Sequence, residues 1–143
     1  MWTVSNGRDE VLYVGRTGDS SSHFASSPFS RLGQHLDLRP NAKGNALLKN
    51  LRAARLDPVK CTFDLFAIGP LFLEQSNLER HRQRRDIVAP LENALAVHLR
   101  DAGYRVIGMH GSRKEVDRKL FTRLLAMVNE RFPKRPESRR EPQ

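Results

Sequence analysis

Short apolar runs bounded by turn residues alternate along this chain with longer stretches whose apolar positions recur at helical spacing. The runs Trp2 to Ser5 and Val11 to Val14 are rich in β-branched and aromatic residues, and the Asn6-Gly7 pair between them suits a tight turn. They predict an antiparallel hairpin. Further strands are predicted over Lys60 to Ile68, which we place at the centre of the sheet, and over Tyr104 to Gly108.

Helical spacing is found in the longer stretches. The predicted helices cover Pro28 to Leu38, Asn41 to Arg55, Leu71 to Ala102 and Arg113 to Phe132. Pro90 falls inside the third of these, and because proline has no backbone N–H to donate, we expect the helix to kink or break there. The Ser-rich stretch from Asp19 to Ser27 predicts an exposed loop before the first helix.

The first predicted helix has two distinct faces. Phe29, Leu32 and Leu36 recur at intervals of three and four and form its apolar face. Arg31 and His35 are four residues apart, so their side chains point in one direction. The helix therefore presents a guanidinium and an imidazole together, shortly after the second strand.

The predicted order of elements is β-β-α-α-β-α-α-β-α. It indicates a small α/β fold, an α+β sandwich in which a mostly antiparallel sheet is flanked by helices. A chain of 143 residues suits one domain with a modest core, which we place over residues 1–132. The remaining residues, 133–143, are Pro-rich and charged, and they predict a disordered basic tail.

The composition narrows the class of partner. A formal net charge of +9 favours a polyanion, although ribosomal and membrane-surface proteins share this property. The single cysteine excludes an intrachain disulfide and a Cys-rich zinc site. No apolar run is long enough to span a bilayer and no signal-peptide pattern is present, so we expect a cytoplasmic protein that does not bind membranes.

Basic side chains are concentrated on two of the predicted helices. Lys49 and Arg52 project from the second helix on the side opposite its leucines, and Arg84 and Arg85 belong to the polar run ERHRQRR of the third. These residues, together with Arg16, are our candidates for contacts to nucleic acid. A solvated surface face is the alternative for both helices, and the sequence leaves it open.

Four chemically informative residues follow one another in a specific order. Tyr13 begins the motif Tyr-Val-Gly-Arg-Thr, Arg31 and His35 stand in RLGQH, and Glu92 stands in LENAL. This order resembles the GIY-YIG endonuclease superfamily. In that family a tyrosine strand is followed by a helix that carries Arg and often His, and then by a metal-binding Glu. The resemblance covers roughly residues 1–107.

The resemblance implies a fold, an activity and roles for these residues. The family has a three-stranded antiparallel sheet flanked by helices, and its members are divalent-metal-dependent endonucleases that hydrolyse phosphodiester bonds in DNA. By this resemblance Glu92 is the ligand of Mg²⁺ or Mn²⁺ and Arg31 pairs with the scissile phosphate. Tyr13 and His35 are the general base and its support. A carboxylate-held cation, a fixed guanidinium and a base together meet the needs of phosphodiester hydrolysis.

The substrate is less constrained than the chemistry. No sequence-reading module such as a zinc finger is visible, so we expect a structure-selective role in DNA repair or recombination. We expect no small-molecule cofactor, and the oligomeric state stays open. Two alternatives are a catalytically weak or inactive nucleic-acid-binding module of the same fold and a small basic protein that binds RNA.

The chain departs from the family at its beginning. Trp2 stands where the family has its first tyrosine, and the glycine of that half-motif has no counterpart before Met1. A start upstream of Met1 would account for the missing glycine. Indole has no group that can accept a proton from water, so Trp2 motivates the alternative of a weak nuclease.

Each proposed role also has a structural alternative. Tyr13 suits a core position, Arg31 a surface position, and His35 a hydrogen bond to a helix neighbour. Glu92, near the start of a helix if Pro90 breaks it, would also be a good partner for the helix dipole. The rival carboxylates on the predicted preceding helix are Glu74 and Glu79.

Overall fold

The computed structural model describes residues 1–17, 24, 27–108 and 111–136. Within these residues the strands are β1 (Trp2–Ser5), β2 (Glu10–Tyr13), β3 (Thr62–Leu65) and β4 (Val106–Ile107). The helices are α1 (Pro28–His35), α2 (Ala46–Ala53), α3 (Leu78–Asp101) and α4 (Arg118–Arg131), with a 3₁₀ turn at Pro58–Lys60. The mixed α/β class is confirmed. Most of the loop predicted over residues 19–27 lies outside the described residues.

The strands form one sheet in the order β3-β1-β2-β4. β1 pairs antiparallel with both β2 and β3, which confirms the predicted hairpin, and β4 lies parallel to β2. The described sheet thus has four strands where the resemblance implies three. β3 lies at an edge, so its predicted central position is wrong. Thr62 and Asp64 are exposed, as expected for a strand that has one neighbour and one solvated face.

The period-two alternation of β1 and β2 builds a core on each face of the sheet. On one face the strands pack against α2, and the buried cluster is Trp2, Val4, Val11, Tyr13, Leu47, Leu51, Leu56 and Ile107. On the other face they pack against α3 and α4, and the buried cluster is Leu12, Val14, Leu95, Ala96, Leu99, Leu124, Val128 and Phe132. The sheet is therefore the middle layer of a helix-sheet-helix sandwich.

Two expectations about α3 are wrong, namely its start near Leu71 and a break at Pro90. The helix begins at Leu78, where the Asn77 side chain accepts a hydrogen bond from the backbone N–H of Arg80, so the preceding residues are not helical. The helix also continues through Pro90. An interior proline costs about 3 kcal/mol. The leucines at 91, 95 and 99 are buried on the same helix, and each contributes about 1.5–3 kcal/mol. Packing along the whole helix thus outweighs the lost hydrogen bond.

The first helix is shorter than predicted and differs in one core residue. α1 ends at His35, and Ser27 caps its N-terminus by accepting a hydrogen bond from the backbone N–H of Ser30. Leu32 and Leu36 pack against the core as predicted, but Phe29 is 75% exposed. Phe29 lies in the first turn of α1. The second and fourth helices are also shorter than predicted, since α2 and α4 begin five residues after their predicted starts, at Ala46 and Arg118.

The segment that follows α4 makes contacts with the rest of the domain through Arg135. The backbone N–H of Arg135 donates to the carbonyl of Ala102 at 2.9 Å, and its guanidinium donates to Glu10 at 2.6 Å and lies over the ring of Tyr104. Arg135 is thus held against the domain, and residues 137–143 of the predicted tail lie outside the described part of the chain.

Among residues 1–17, 24, 27–108 and 111–136, no helix has the length and apolar character needed to cross a bilayer.

Candidate functional site

A cleft of about 440 Å³ opens where β1 begins and β2 ends. These two strand ends lie side by side because the strands are antiparallel, with Trp2 opposite Tyr13. The other walls are α1, the part of α3 from His81 to Leu95, Leu124 of α4 and the segment between β3 and α3. All four residues singled out by the sequence line this cleft: Tyr13, Arg31, His35 and Glu92. Residues up to 79 positions apart in the chain thus converge on one space.

The rings of Tyr13 and His35 lie edge to face. Their centroids are 5.6 Å apart and both residues are buried. Burial raises the pKa of the Tyr13 phenol and Glu92 adds to this, while Arg31 and Arg16 oppose it. Tyr13 therefore keeps its proton at neutral pH. Tyr13 is also a core residue, as its structural alternative predicts, because it belongs to the core cluster that packs against α2.

The environment of His35 favours a neutral imidazole. Burial and the nearby Arg31 guanidinium lower the pKa of His35, and a backbone hydrogen bond with Gly44 only partly offsets them. Its Nδ1 is buried and has no hydrogen-bond partner among the described residues. A neutral imidazole can accept a proton whereas a protonated phenol cannot. Of the two candidate bases, His35 is thus the one whose protonation state suits the role.

The carboxylate of Glu92 carries an ion pair. The Nη1 of Arg16 donates to Glu92 Oε2, and the two side chains are 33% and 18% exposed. Because α3 is continuous, Glu92 lies in the middle of a helix and not in a first turn. The alternative role as a partner for a helix N-terminus is therefore excluded. Glu92 is held at the cleft by α3, and the guanidinium of Arg16 balances its charge there.

The cleft concentrates polar atoms that have no partner. Among the described residues, the buried side-chain nitrogens and oxygens without a hydrogen bond are Arg16 Nε, Arg31 Nε, His35 Nδ1, Asn45 Oδ1 and Arg85 Nε. All except the one on Asn45 belong to residues that line the cleft. An unpaired buried donor costs roughly 1–3 kcal/mol. Three arginine N–H donors left unpaired in one place make the cleft suitable for an anion that accepts hydrogen bonds.

One face of α3 supplies a side of the cleft that the sequence reasoning missed. His81, Arg85, Val88, Glu92 and Leu95 recur at intervals of four and three and line the cleft in a row. His81 is buried, although it belongs to the polar run ERHRQRR. The spacing is present in the sequence, but the predicted interruption at Pro90 separates the first three residues from the last two.

The remaining candidates divide between the cleft and the surface. Arg16, Arg84 and Arg85 line the cleft, whereas Lys49 and Arg52 are exposed on α2 and do not. The rival carboxylates also differ in position. Glu74 lines the cleft from the non-helical segment before α3, and Glu79, in the first turn of α3, is exposed and does not line it.

The donor set can be compared with the needs of a metal ion. Among the described residues there is no group of three or more His, Cys, Asp or Glu side chains that would enclose a metal. Mg²⁺ does not require one, since it commonly binds through one or two carboxylates, with waters and substrate phosphate oxygens. Glu92 is a hard oxygen donor that faces the cleft and already attracts a positive charge there. The residues present therefore fit a one-carboxylate Mg²⁺ or Mn²⁺ site.

The lowered pKa of His35 predicts a pH dependence of stability. The unfolded chain has the ordinary histidine value of 6.5 and binds a proton more readily than the folded chain, so the free energy of unfolding should rise with pH through this region. Urea unfolding from pH 5 to 8 should show a smaller rise for His35→Gln than for the wild type. The amino group of Met1, with a pKa lowered to about 6, contributes equally to both proteins. Identical slopes would contradict the burial of a neutral His35.

No family model, curated protein or solved structure matches this chain.

Proposed function

We propose that this protein is a divalent-metal-dependent endonuclease that hydrolyses phosphodiester bonds in DNA, similar to the GIY-YIG endonucleases. One observation carries the proposal. Tyr13, Arg31, His35 and Glu92, which the resemblance selects from the sequence, line a single cleft although they come from three elements of the fold. Side chains selected for a common reaction are thus neighbours in space. We further propose DNA repair or recombination as the setting and the cytoplasm as the location.

The residues of the cleft divide the chemistry among them. Arg31 is placed to bind the scissile phosphate, because its Nη1 is held by Gln34 at 3.0 Å while its Nε has no partner among the described residues. A planar guanidinium suits a phosphate better than an ammonium does. His35 is placed to accept a proton from the attacking water, and the protonated phenol of Tyr13 donates a hydrogen bond within the same site.

Glu92 would hold the Mg²⁺ or Mn²⁺ ion, which would lower the pKa of a bound water and offset the charge that develops on the phosphate. In the structure the guanidinium of Arg16 forms an ion pair with this carboxylate. We infer that Arg16 exchanges its carboxylate partner for a phosphate when DNA binds. This exchange would make Glu92 available at the time that the substrate arrives.

Removing Arg16 should therefore strengthen metal binding in the absence of DNA. We expect Arg16→Gln to bind Mn²⁺ up to about fivefold more tightly than the wild type, since a partly exposed ion pair is worth up to roughly 1 kcal/mol. Electron paramagnetic resonance of free Mn²⁺ measures this directly. Arg85→Gln, which alters another arginine of the cleft, is the matched control and should not change the affinity. Unchanged or weaker Mn²⁺ binding by Arg16→Gln would refute the competition.

A catalytically weak DNA-binding module is the second candidate, and Trp2 is the observation that favours it. Trp2 lies directly opposite Tyr13 and lines the cleft. It therefore occupies the place in which the family's first tyrosine would be expected next to the second. Its ring fills the space but has only an N–H donor to offer.

Introducing the missing hydroxyl should raise the rate of cleavage. We expect Trp2→Tyr to accelerate Mg²⁺-dependent cleavage by about a hundredfold if the first tyrosine assists the base, which is the usual size of general acid-base catalysis. The smaller ring leaves part of a buried site unfilled, so the thermal midpoint should be measured in parallel. If a folded Trp2→Tyr protein is no faster while Tyr13→Phe loses a robust activity, then position 2 does not limit the reaction.

Nicking of supercoiled plasmid in Mg²⁺ or in EDTA tests the proposed function. The wild type should convert the plasmid to open circles only with the metal, and Arg31→Ala should not. Fluorescence anisotropy with a DNA duplex and with a structured RNA separates the other functions. Binding to DNA without nicking would favour the binding module, and a clear preference for the RNA would favour an RNA-binding role.

A further inference from the structure

The segment between β3 and α3 gives the cleft an apolar wall. Leu71, Phe72 and Leu73 are consecutive in this segment, and all three line the cleft. Leu73 is 82% exposed, so its apolar side chain is accessible to a ligand in the cleft. Phosphodiester chemistry makes no use of such a wall, since phosphate oxygens bind to charged and polar groups.

This exposed wall is anchored on both sides. Leu71 packs against the core cluster of α3 and α4. The Nε2 of Gln75 donates to the carbonyl of Leu73 at 2.6 Å, and the guanidinium of Arg84 lies 5.0 Å above the centre of the Phe72 ring. The contacts of Leu71, Phe72 and Gln75 thus hold the segment that carries Leu73 at the cleft.

Charged groups around the same wall define what it can receive. Arg84 and Arg85 on α3, Arg31 on α1 and Glu74, which follows Leu73, line the same cleft. The Nε groups of Arg31 and Arg85 have no partner within the described part of the chain. An apolar wall beside unpaired guanidinium donors is complementary to a nucleotide, which combines an apolar base face with a phosphate.

A base in a regular duplex cannot reach this wall, because its faces are covered by the neighbouring bases. An unpaired base has exposed faces, and leucine and phenylalanine are side chains that proteins place against unstacked bases. The volume of about 440 Å³ is within the range of roughly 300–1,000 Å³ that is usual for small-ligand sites. The cleft therefore has the size and the lining for one nucleotide next to the scissile phosphate.

We propose that the wall formed by Leu71, Phe72 and Leu73 receives one unstacked nucleobase, so that the preferred substrate is DNA with an unpaired nucleotide next to the cleavage site. The inference rests on the proposed function, of which it names the substrate class. Leu73 contacts the base, the Phe72–Arg84 pair forms the stacking surface, and Arg31 and Arg85 hold the adjoining phosphates.

Binding without metal tests this inference independently of cleavage. The full chain is titrated in EDTA with two DNA duplexes of equal length and the same flanking sequence. One carries a single unpaired 2-aminopurine nucleotide, and the other is fully paired. We expect tighter binding to the first duplex together with a change in 2-aminopurine fluorescence. Leu73→Ser should weaken binding to the unpaired duplex by roughly tenfold, the size of one lost base contact, and leave the paired duplex unaffected.

The matched control is Leu38→Ser, which replaces another leucine that is 54% exposed but does not line the cleft. It should retain the full preference. Equal affinities of the wild type for the two duplexes would overturn the inference, and so would equal behaviour of Leu73→Ser and Leu38→Ser. A protein that prefers the unpaired duplex but never cuts with Mg²⁺ would refute the proposed function and would support only the contact between the wall and an unpaired base. One that cuts but binds both duplexes equally would refute this inference alone.

Discussion

Replacing Glu92 with Gln should reduce Mg²⁺-dependent cleavage by roughly two to three orders of magnitude, the loss typical for one preorganised charge of an active site. The substitution preserves the size of the side chain and removes its charge. It also releases Arg16, so the affinity for DNA should stay the same or rise. Single-turnover cleavage and equilibrium binding separate these two effects.

The matched control for this prediction is Glu79→Gln, on the same helix but outside the cleft. It should cleave at the wild-type rate. If Glu79→Gln loses activity and Glu92→Gln does not, the ligand has been assigned to the wrong carboxylate.

Replacing Arg31 with Lys should reduce cleavage by about ten- to hundredfold, since a hydrogen bond to a charged group contributes about 1.5–3 kcal/mol. Lysine keeps the positive charge but lacks the Nε–H donor of Arg31, for which the described part of the chain offers no partner. Affinity for DNA should change little, because it depends mainly on charge. The loss should thus appear in the maximal rate and not in the binding constant.

Arg39→Lys provides the control, since Arg39 is exposed and its guanidinium donates to Asp37. It should leave cleavage unchanged. A rate for Arg31→Lys equal to that of the wild type would show that Arg31 acts only as a positive charge, and would argue against a directed contact with the scissile phosphate.

Local patterns predicted the strands well. Trp2 to Ser5 is the first strand to the residue, and the alternation of β1 and β2 places Val4 and Val11 on one face and Leu12 on the other. These features depend on side-chain periodicity and turn residues, which are encoded locally. The edge position of β3 was missed because the sequence does not state which strands pair. The exposed Thr62 and Asp64 were the available indication.

The third helix shows how one error conceals a site. A proline inside a helical pattern predicts a kink or an end of the helix. With such an interruption at Pro90, the sequence does not indicate that His81 and Glu92 share a helix face. With α3 continuous, the two residues are eleven positions apart and on the same face. Tertiary packing keeps α3 continuous through Pro90. Rules based on the local sequence do not include the free energy of that packing. The pairing of Arg16 with Glu92 is similarly non-local, since 76 residues separate the two.

The four candidate residues were found by their order along the chain, and their convergence on one cleft required the fold. Arg31 and His35 were paired by helical spacing alone, and both line the cleft as that spacing predicts. Tyr13 and Glu92 join them because β2 ends beside the middle of α3. Their roles in catalysis stay predictions.

The central claim is that these side chains act as one site on one phosphate, and a double-mutant cycle tests it most directly. Single-turnover rates of Mg²⁺-dependent cleavage are measured for the wild type, Glu92→Gln, Arg31→Ala and the double variant. Residues that act as a unit show strongly non-additive losses. We therefore predict that the double variant is no slower than the slower single variant. A loss in the double variant equal to the product of the two single losses would contradict a shared site.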